Sequence, residues 1–288
     1  MSDSPSLPGT LPIGDLLDGT ISPVSWLIPD FIAAGSLVTL GGEPGAGKSY
    51  LSYSISLALT TSTPLLGWTI DRPRRILYID QENSRADCIE YFRWAWRALG
   101  CPDPTLVTQN LTFVHFGLPA AAWAQQLAVY ATAVKPDLII LDTTTPTCAI
   151  QDENDNGEAS RAIMALRNIQ ALVHPAPAIL ALKHARVNSK AEAGERRYTL
   201  RGAKAWEGQA DSVIFQIRAQ GHPRTDGLTN TRLEPAKTRA FGLRQTIHIE
   251  PQWLPNRAGI YLSTASPANP VQRSPRKMRV EAPSDPHS

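Results

Sequence analysis

The chain has few cysteines, and their positions suit neither a disulfide framework nor a metal site. Its 288 residues contain three, Cys88, Cys101 and Cys148, an odd number without the paired spacing of zinc sites. This pattern argues against a disulfide-stapled secreted domain and favours a reducing, cytoplasmic compartment. The six histidines form no H-x-x-x-H cluster, so we expect no structural metal.

Long hydrophobic runs and a strong net charge are also missing. No run approaches the roughly 20 apolar residues that a membrane-spanning helix needs, and residues 1–10 have neither the basic nor the apolar region of a signal peptide. The net charge is only +2. A charge this small does not by itself indicate a nucleic-acid partner, so that function would need a local basic patch.

One sizeable α/β domain with two tails accounts for the length and the 42% hydrophobic content. Residues 1–20 are rich in proline and glycine, which predicts a flexible arm. Residues 264–288 are rich in proline and serine and carry several basic side chains, which predicts a disordered basic tail. We expect the folded domain to extend over residues 21–263.

The most specific motif is a glycine-rich stretch that fits the G-x-x-x-x-G-K-[ST] pattern of a phosphate-binding loop. It lies between a predicted strand at 36–40 and a predicted helix at 50–60, as such a loop requires. Its glycines allow positive φ angles, so the backbone amides and the helix N-terminus can surround an anion. Lys48 would neutralise the β- and γ-phosphates, and Ser49 would bind Mg²⁺. A glycine-rich turn with an exposed lysine is the structural alternative. The nucleotide-contacting residues expected here are Gly42, Glu43, Pro44, Gly45, Ala46, Gly47, Lys48, Ser49 and Tyr50.

Strands and helices alternate along the rest of the chain, which predicts an α/β fold with a central, mostly parallel sheet and late antiparallel strands. In the helix predicted at 84–99, Tyr91 and Trp94 lie off the apolar face and are candidates for a subunit contact. The apolar face itself, expected in the core, consists of Ile89, Phe92, Trp96 and Leu99. Strands are expected at 75–80, 111–116, 137–142, 178–183, 213–217, 231–237 and 246–249, and further helices at 120–134 and 158–173.

Acidic residues follow two of the predicted strands. Asp142 ends a continuous apolar strand, so it should reach the crevice at the carboxyl edge of the sheet and hold Mg²⁺ with Ser49. Glu82 lies just beyond another strand end and is our choice for orienting the attacking water. Asp80 is the rival, because residues two apart share a face of an extended chain, and Glu82 could instead cap the next helix. His184 ends a further strand, where it would either sense the γ-phosphate or be simply solvated.

Five motifs carry a resemblance to a known family. They are Trp26-Leu27-Ile28-Pro29, the glycine-rich loop, Tyr78-Ile79-Asp80-Gln81-Glu82, Leu138–Asp142 with Thr143, and Leu200-Arg201-Gly202 followed by 209–214. In this order they resemble the RecA-like P-loop ATPases, and within them the hexameric replicative helicases, including the plasmid-encoded RepA type. The resemblance covers about residues 23–249. It implies ATP and Mg²⁺ as ligands, Glu82 as the catalytic carboxylate, and a ring, expected to be a hexamer.

The resemblance also implies residues that act across a subunit boundary. Lys237 and Arg239 match a K-x-R pattern that reaches the γ-phosphate of the neighbouring subunit. Period-two geometry would put both cations on one face of a strand. A solvated charge pair on an edge strand is the alternative.

Residues 183–201 form a basic stretch of the sequence. It contains six basic and two acidic residues, which gives it a net charge of +4. In the resembling family this position corresponds to the loop that lines the central channel of the ring. Only Tyr198 is available for stacking on a base, which suggests sequence-independent contact with the phosphate backbone. An exposed solvated loop is the alternative. The residues expected to contact single-stranded DNA are Arg186, Lys190, Arg196, Arg197 and Arg201.

These features together predict an ATP-hydrolysing ring motor that moves on single-stranded DNA, as a plasmid or phage replicative helicase does. Two alternatives stay open. The first is a repair or recombination ATPase of the same fold that binds DNA without unwinding it. The second is a P-loop kinase or regulatory switch that does not act on DNA. Glu82 and the K-x-R pattern favour hydrolysis over kinase chemistry.

Overall fold

The structure of the protein is a computed structural model that describes residues 14, 17–18, 24–188, 197–200, 204–219, 226–239 and 242–264. The predicted arm at 1–20 and the predicted tail at 264–288 therefore lie almost entirely outside the described residues. Within the described ranges, no helix combines the length and the apolar character needed to span a bilayer.

A large mixed sheet forms the centre of the described chain. A small hairpin precedes it and consists of β1 (Trp26–Ile28) and β2 (Ile32–Ala33). The strands of the large sheet are β3 (Leu37–Gly42), β4 (Ile76–Asp80), β5 (Leu111–His115), β6 (Leu138–Asp142), β7 (Ala178–Asn188), β8 (Arg197–Leu200), β9 (Ser212–Arg218), β10 (Thr231–Thr238), β11 (Ile247–Trp253) and β12 (Ile260–Thr264). The order across the sheet is β12-β11-β10-β9-β3-β7-β6-β4-β5, and β8 pairs with β7. The six strands from β9 to β5 in this order run parallel. The late strands β10, β11 and β12 are antiparallel.

Helices cover both faces of this sheet. They are α1 (Lys48–Thr61), α2 (Arg85–Ala98), α3 (Pro104–Asn110), α4 (Trp123–Val134), α5 (Thr144–Thr147), α6 (Asn156–Leu172) and α7 (Lys204–Gln209). Helices α1 and α2 pack into the hydrophobic cluster on one face, and α4, α6 and α7 pack into the cluster on the other. The predicted α/β fold, with parallel strands first and antiparallel strands late, is confirmed.

Burial on both faces explains the sequences of the central strands. Every residue of β3, β4 and β6 is buried, and such strands read as continuous apolar runs without alternation. Helix α1 is buried on nearly all sides as well, although it contains several serines. The hydroxyls of Ser52, Ser54 and Ser56 bond to carbonyls three or four residues earlier, so they enter the core without losing a hydrogen bond.

The prediction of a continuous polar loop after residue 183 was wrong at both ends. Strand β7 continues to Asn188, and β8 pairs with it antiparallel, with Ala185 opposite Leu200. Pairing between two strands satisfies the hydrogen bonds of the peptide groups whatever the side chains are. A polar composition therefore did not indicate that these two strands form. Residues 189–196 lie outside the described residues.

The predicted core face of α2 was also partly wrong. Ile89 is 41% exposed, while Cys88 and Ala95 are the buried residues of this helix. Tyr91 and Trp94, proposed as subunit contacts, pack against the core cluster. The short helices α3, α5 and α7, the hairpin of β1 and β2, and strand β12 were not predicted, because short elements carry too few periods for a pattern.

A buried glutamine on α6 generates a stability prediction. The Gln170 side chain donates to the carbonyls of Gly35 at 3.0 Å and Pro177 at 2.8 Å, and it ties α6 to the segments that enter β3 and β7. We expect Gln170→Ala to lower the free energy of unfolding by about 2 kcal/mol, because buried carbonyls lose their donor. Denaturant unfolding of the nucleotide-free protein measures this. Asn168→Ala, an exposed position on the same helix, is the control and should change stability by less than about 0.5 kcal/mol. Equal effects of the two variants would contradict the prediction.

Candidate functional site

The glycine-rich loop joins the buried end of β3 to the first turn of α1. Gly45 and Gly47 have φ angles of +71° and +88°, which only glycine adopts without strain. Gly42, which was expected to allow a positive φ, does not adopt one. Glycine is needed there for space, because a Cβ would lie 2.7 Å from the Gln216 carbonyl oxygen. The loop therefore curls its amides toward the N-terminus of α1, the arrangement that binds phosphate.

Lys48 is held across the mouth of this loop. Its ammonium donates to the carbonyls of Gly42 at 3.0 Å and Glu43 at 3.2 Å. The side chain is buried, and burial lowers its pKa, while the negative charges of Glu82 and Asp142 act in the opposite direction. A cation in this position faces the space that the loop amides surround.

Ser49 and Asp142 meet beside the loop. The Ser49 hydroxyl donates to Asp142 Oδ1 at 3.2 Å, and Tyr78 donates to Oδ2 at 2.9 Å. Burial, and next the charge of Asp80, raise the pKa of Asp142 to about 7. A hydroxyl and a carboxylate are hard oxygen donors of the kind that Mg²⁺ takes at nucleotide sites. These two residues therefore fit the magnesium that the fold family implies, which would neutralise phosphate charge there.

The two rival carboxylates have different environments. Asp80 is fully buried and accepts hydrogen bonds from the Tyr53 hydroxyl at 2.5 Å, the Glu82 amide at 3.0 Å and the Asn83 amide at 2.9 Å. Asn83 Nδ2 also donates to Asp80 at 2.9 Å and to Asp142 at 3.2 Å. Asp80 thus organises the turn after β4 and has little accepting capacity left for water.

Glu82, in contrast, opens onto the cleft. Its side chain is 39% exposed and its Oε1 lies 3.3 Å from His184 Nε2. The hydrogen bond with His184 lowers the pKa of Glu82, burial opposes this, and Thr143 and Lys48 add to the lowering. The result is an ionised carboxylate beside the loop, as a water-orienting residue must be.

His184 is brought to the site by sheet register. Strands β3 and β7 are parallel neighbours in which Gly42 pairs with His184, so the imidazole stands next to the start of the loop.

The cleft has a volume of about 270 Å³. Its lining includes Pro44, Gly45, Gly47, Lys48, Ser49, Tyr50, Glu82, Asn83, Thr143 and His184.

An aromatic groove of about 340 Å³ adjoins this cleft, and Tyr50, Tyr91 and Ile260 border both. Its walls include Trp94 and Trp253, whose rings meet edge to face at 5.3 Å. Tyr50 donates its hydroxyl to the Ile260 carbonyl, which closes the groove toward β12. The contribution of Trp253 and Ile260 was missed in the sequence because no motif links these late strands to the loop.

Lys237 and Arg239 lie at the other end of the sheet from the glycine-rich loop. Strand β10 is antiparallel to β9, with Thr231 opposite Arg218 near the loop and Lys237 opposite Val213 at the far end. Lys237 donates to the carbonyls of Glu207, Gly208 and Ala210 at 2.6–2.8 Å. Arg239 follows the end of β10 and donates to Gly208 at 3.3 Å. Both cations therefore meet the end of α7, and neither can reach the loop of its own chain.

The predicted DNA-binding residues are only partly described. Arg186 is exposed on β7, and Tyr198 is half-buried with its ring 6.2 Å from that of Phe215. Lys183 is buried, with its ammonium 4.9 Å from the centre of the Trp206 ring, so it does not belong to an exposed basic surface. Lys190, Arg196 and Arg201 lie outside the described residues, as does the side chain of Arg197.

The different environments of Glu82 and Asp80 generate a prediction about ATP hydrolysis. We expect Glu82→Gln to keep ATP binding within about threefold of wild type and to lower turnover by about 10³-fold, since the water-orienting charge is lost. Steady-state hydrolysis and equilibrium ATP binding measure the two quantities. Asp80→Asn is the comparison and should lower the melting temperature, because it removes acceptors from a buried network. A Glu82→Gln protein that hydrolyses ATP normally would contradict the assignment.

The comparison with protein families agrees with this geometry. The chain matches the AAA domain family over residues 3–190, about two thirds of its length, which includes the glycine-rich loop, Glu82, Asp142 and His184. No curated protein matches the chain. Because this match covers more than half of the chain and includes the phosphate-binding loop, the chain belongs to the AAA domain family of P-loop ATPases.

Proposed function

We propose that the protein is an ATP-hydrolysing motor that acts on single-stranded DNA in the cytoplasm, as a ring-shaped replicative helicase of the plasmid or phage type. The observation that carries hydrolysis is the ionised Glu82 beside Lys48 and the Ser49–Asp142 pair. The free state of Cys88, Cys101 and Cys148 is compatible with a reducing compartment.

In the proposed reaction, water attacks the γ-phosphorus in line with the leaving ADP. Glu82 orients this water and accepts its proton, while Lys48 and the loop amides stabilise charge on the phosphates. Ser49 and Asp142 would hold a magnesium ion, which would neutralise phosphate charge. The base enters the groove beside Tyr91 and Trp253, where aromatic rings provide stacking surfaces. His184 contacts Glu82 and senses whether the γ-phosphate is present.

The position of the K-x-R pair supports a ring. Lys237 lies level with Thr39 of β3, and Arg239 lies level with Leu37. At about 3.3 Å per strand residue, the two lie about 10 and about 17 Å behind Gly42 along the strand direction, so we propose that they serve a phosphate in another subunit. The three hydrogen bonds of Lys237 to α7 occupy all its donors. The Arg239 side chain is 56% exposed, which makes it the better finger, and we propose a hexamer in which it reaches the neighbouring γ-phosphate.

DNA binding is proposed for the basic residues of 186–201, of which the side chain of Arg186 is described. Arg186 is exposed on the strand that also carries His184, so a DNA contact and the nucleotide cleft share one rigid element. Basic side chains along such a surface would bind the phosphate backbone without sequence preference.

Stimulation of hydrolysis by DNA tests the motor proposal. Single-stranded DNA should raise the ATPase rate severalfold, and the effect should fade between roughly 50 and 200 mM salt as counterions compete. Arg186→Ala should reduce the stimulation, whereas Arg93→Ala, an exposed arginine on α2 paired with Glu90, should retain it. Hydrolysis indifferent to DNA would favour the switch or kinase alternative. Stimulation without displacement of a paired strand would favour the repair ATPase.

Mixing of two inactive variants tests the action of Arg239 between subunits. Lys48→Ala removes the phosphate contact in one subunit, and Arg239→Ala removes the finger from another. In a mixed ring, some sites combine the intact loop of an Arg239→Ala subunit with the intact arginine of a Lys48→Ala subunit. ATPase activity should therefore partly return. Titration of the mixing ratio measures the recovery. No recovery at any ratio, with mixed rings shown to form, would contradict the proposal.

A further inference from the structure

A second basic residue contacts the phosphate-binding loop from the side. Arg218 is the last residue of β9, the strand that pairs with β3 on the side opposite β7. Its guanidinium Nη2 donates to the Pro44 carbonyl at 2.6 Å. Pro44 lies at the tip of the loop, and Arg218 is 174 residues away in sequence, so only the folded sheet creates this contact.

The loop has the shape that this contact needs. A Cβ at Gly45 would lie 2.5 Å from Arg218 Nη2, so the arginine packs against bare backbone. Gln216, two residues earlier on the same face of β9, comes within 3.3 Å of the position that a Cβ would take at Gly47. The end of β9 thus supports the loop at both of its positive-φ glycines.

The contact also places charge near the loop. A guanidinium stays protonated at any ordinary pH, and the charge of Arg218 contributes, after burial, to the lowered pKa of Lys48. Among the residues that the structure describes, no carboxylate lies within ion-pair distance of Arg218. Two cations, one inside the loop and one at its side, therefore act on the same small region.

We propose that Arg218 is a positioning residue for nucleotide binding, which holds the Pro44 carbonyl so that the loop amides keep their phosphate-binding arrangement. This inference rests on the nucleotide-binding part of the proposed function and needs neither DNA nor a ring. Because Arg218 acts on the loop and not on the attacking water, it stabilises bound substrate and transition state alike. Its loss should therefore raise KM and leave kcat nearly unchanged.

The experiment compares Arg218→Ala and Arg218→Lys with wild type and with the exposed-arginine control Arg93→Ala. Equilibrium binding of ADP and of a non-hydrolysable ATP analogue is measured, together with KM and kcat for ATP. We expect Arg218→Ala to raise both Kd values and KM by about tenfold, the effect of one hydrogen bond from a charged donor. Arg218→Lys should recover part of the affinity because it keeps a charged donor, and Arg93→Ala should match wild type.

Each remaining outcome counts against a stated part of the proposal. Binding by Arg218→Ala within about twofold of wild type would overturn the positioning role, as would a fall in kcat at unchanged KM. No rescue by Arg218→Lys, with a melting temperature below that of wild type, would assign Arg218 to the stability of the fold instead. Failure of wild type itself to bind either nucleotide would overturn the proposed function as well, which separates the two failures.

Discussion

Two buried carboxylates at the carboxyl edge of the sheet are the constraint on which the site depends. Asp80 and Asp142 end adjacent parallel strands and pair in register, and both are fully buried. Carboxylates are tolerated there only if donors surround them. Tyr53 and Ser49 of α1 are among those donors, as are Tyr78 and Asn83. The helix that follows the phosphate-binding loop is thereby fixed to the ends of β4 and β6, next to the Glu82 side chain that lines the cleft.

The contacts of β7 connect the nucleotide cleft to the far side of the molecule. His184 faces Glu82, while the preceding Lys183 points to the opposite face, where its ammonium lies over the Trp206 ring of α7. The other end of α7 receives Lys237 and Arg239. The same strand carries the exposed Arg186 and pairs with β8. The cleft, Arg186 and the K-x-R pair therefore lie on one contiguous set of packed elements, the kind of arrangement through which sites influence each other.

Much of the site could be predicted, because its signals are local. The glycine spacing predicted the loop, and an apolar run that ends in an acid predicted the strand carrying Asp142. The choice of Glu82 over Asp80 came from its position just beyond a strand end and from the family resemblance. The structure supplies a physical reason for it, since Asp80 is occupied by buried hydrogen bonds. Ile89 was misplaced because the helical period locates a stripe but not the neighbours that cover it. The position of Trp253 in the wall of the aromatic groove was not predicted, because it depends on the packing of β11 and β12 against α2.

The sequence by itself determined the chemistry of the loop, since the glycine spacing and the lysine that follows can be read within eight consecutive residues. It also determined the alternation of buried strands and helices, because burial on two faces leaves a continuous apolar run. Only the tertiary structure decided which carboxylate faces the cleft. It also decided that Arg218 donates a hydrogen bond to the Pro44 carbonyl. It also decided that Lys237 and Arg239 lie away from their own loop. These are relations between residues distant in the chain, set by strand order and register, which no local pattern encodes.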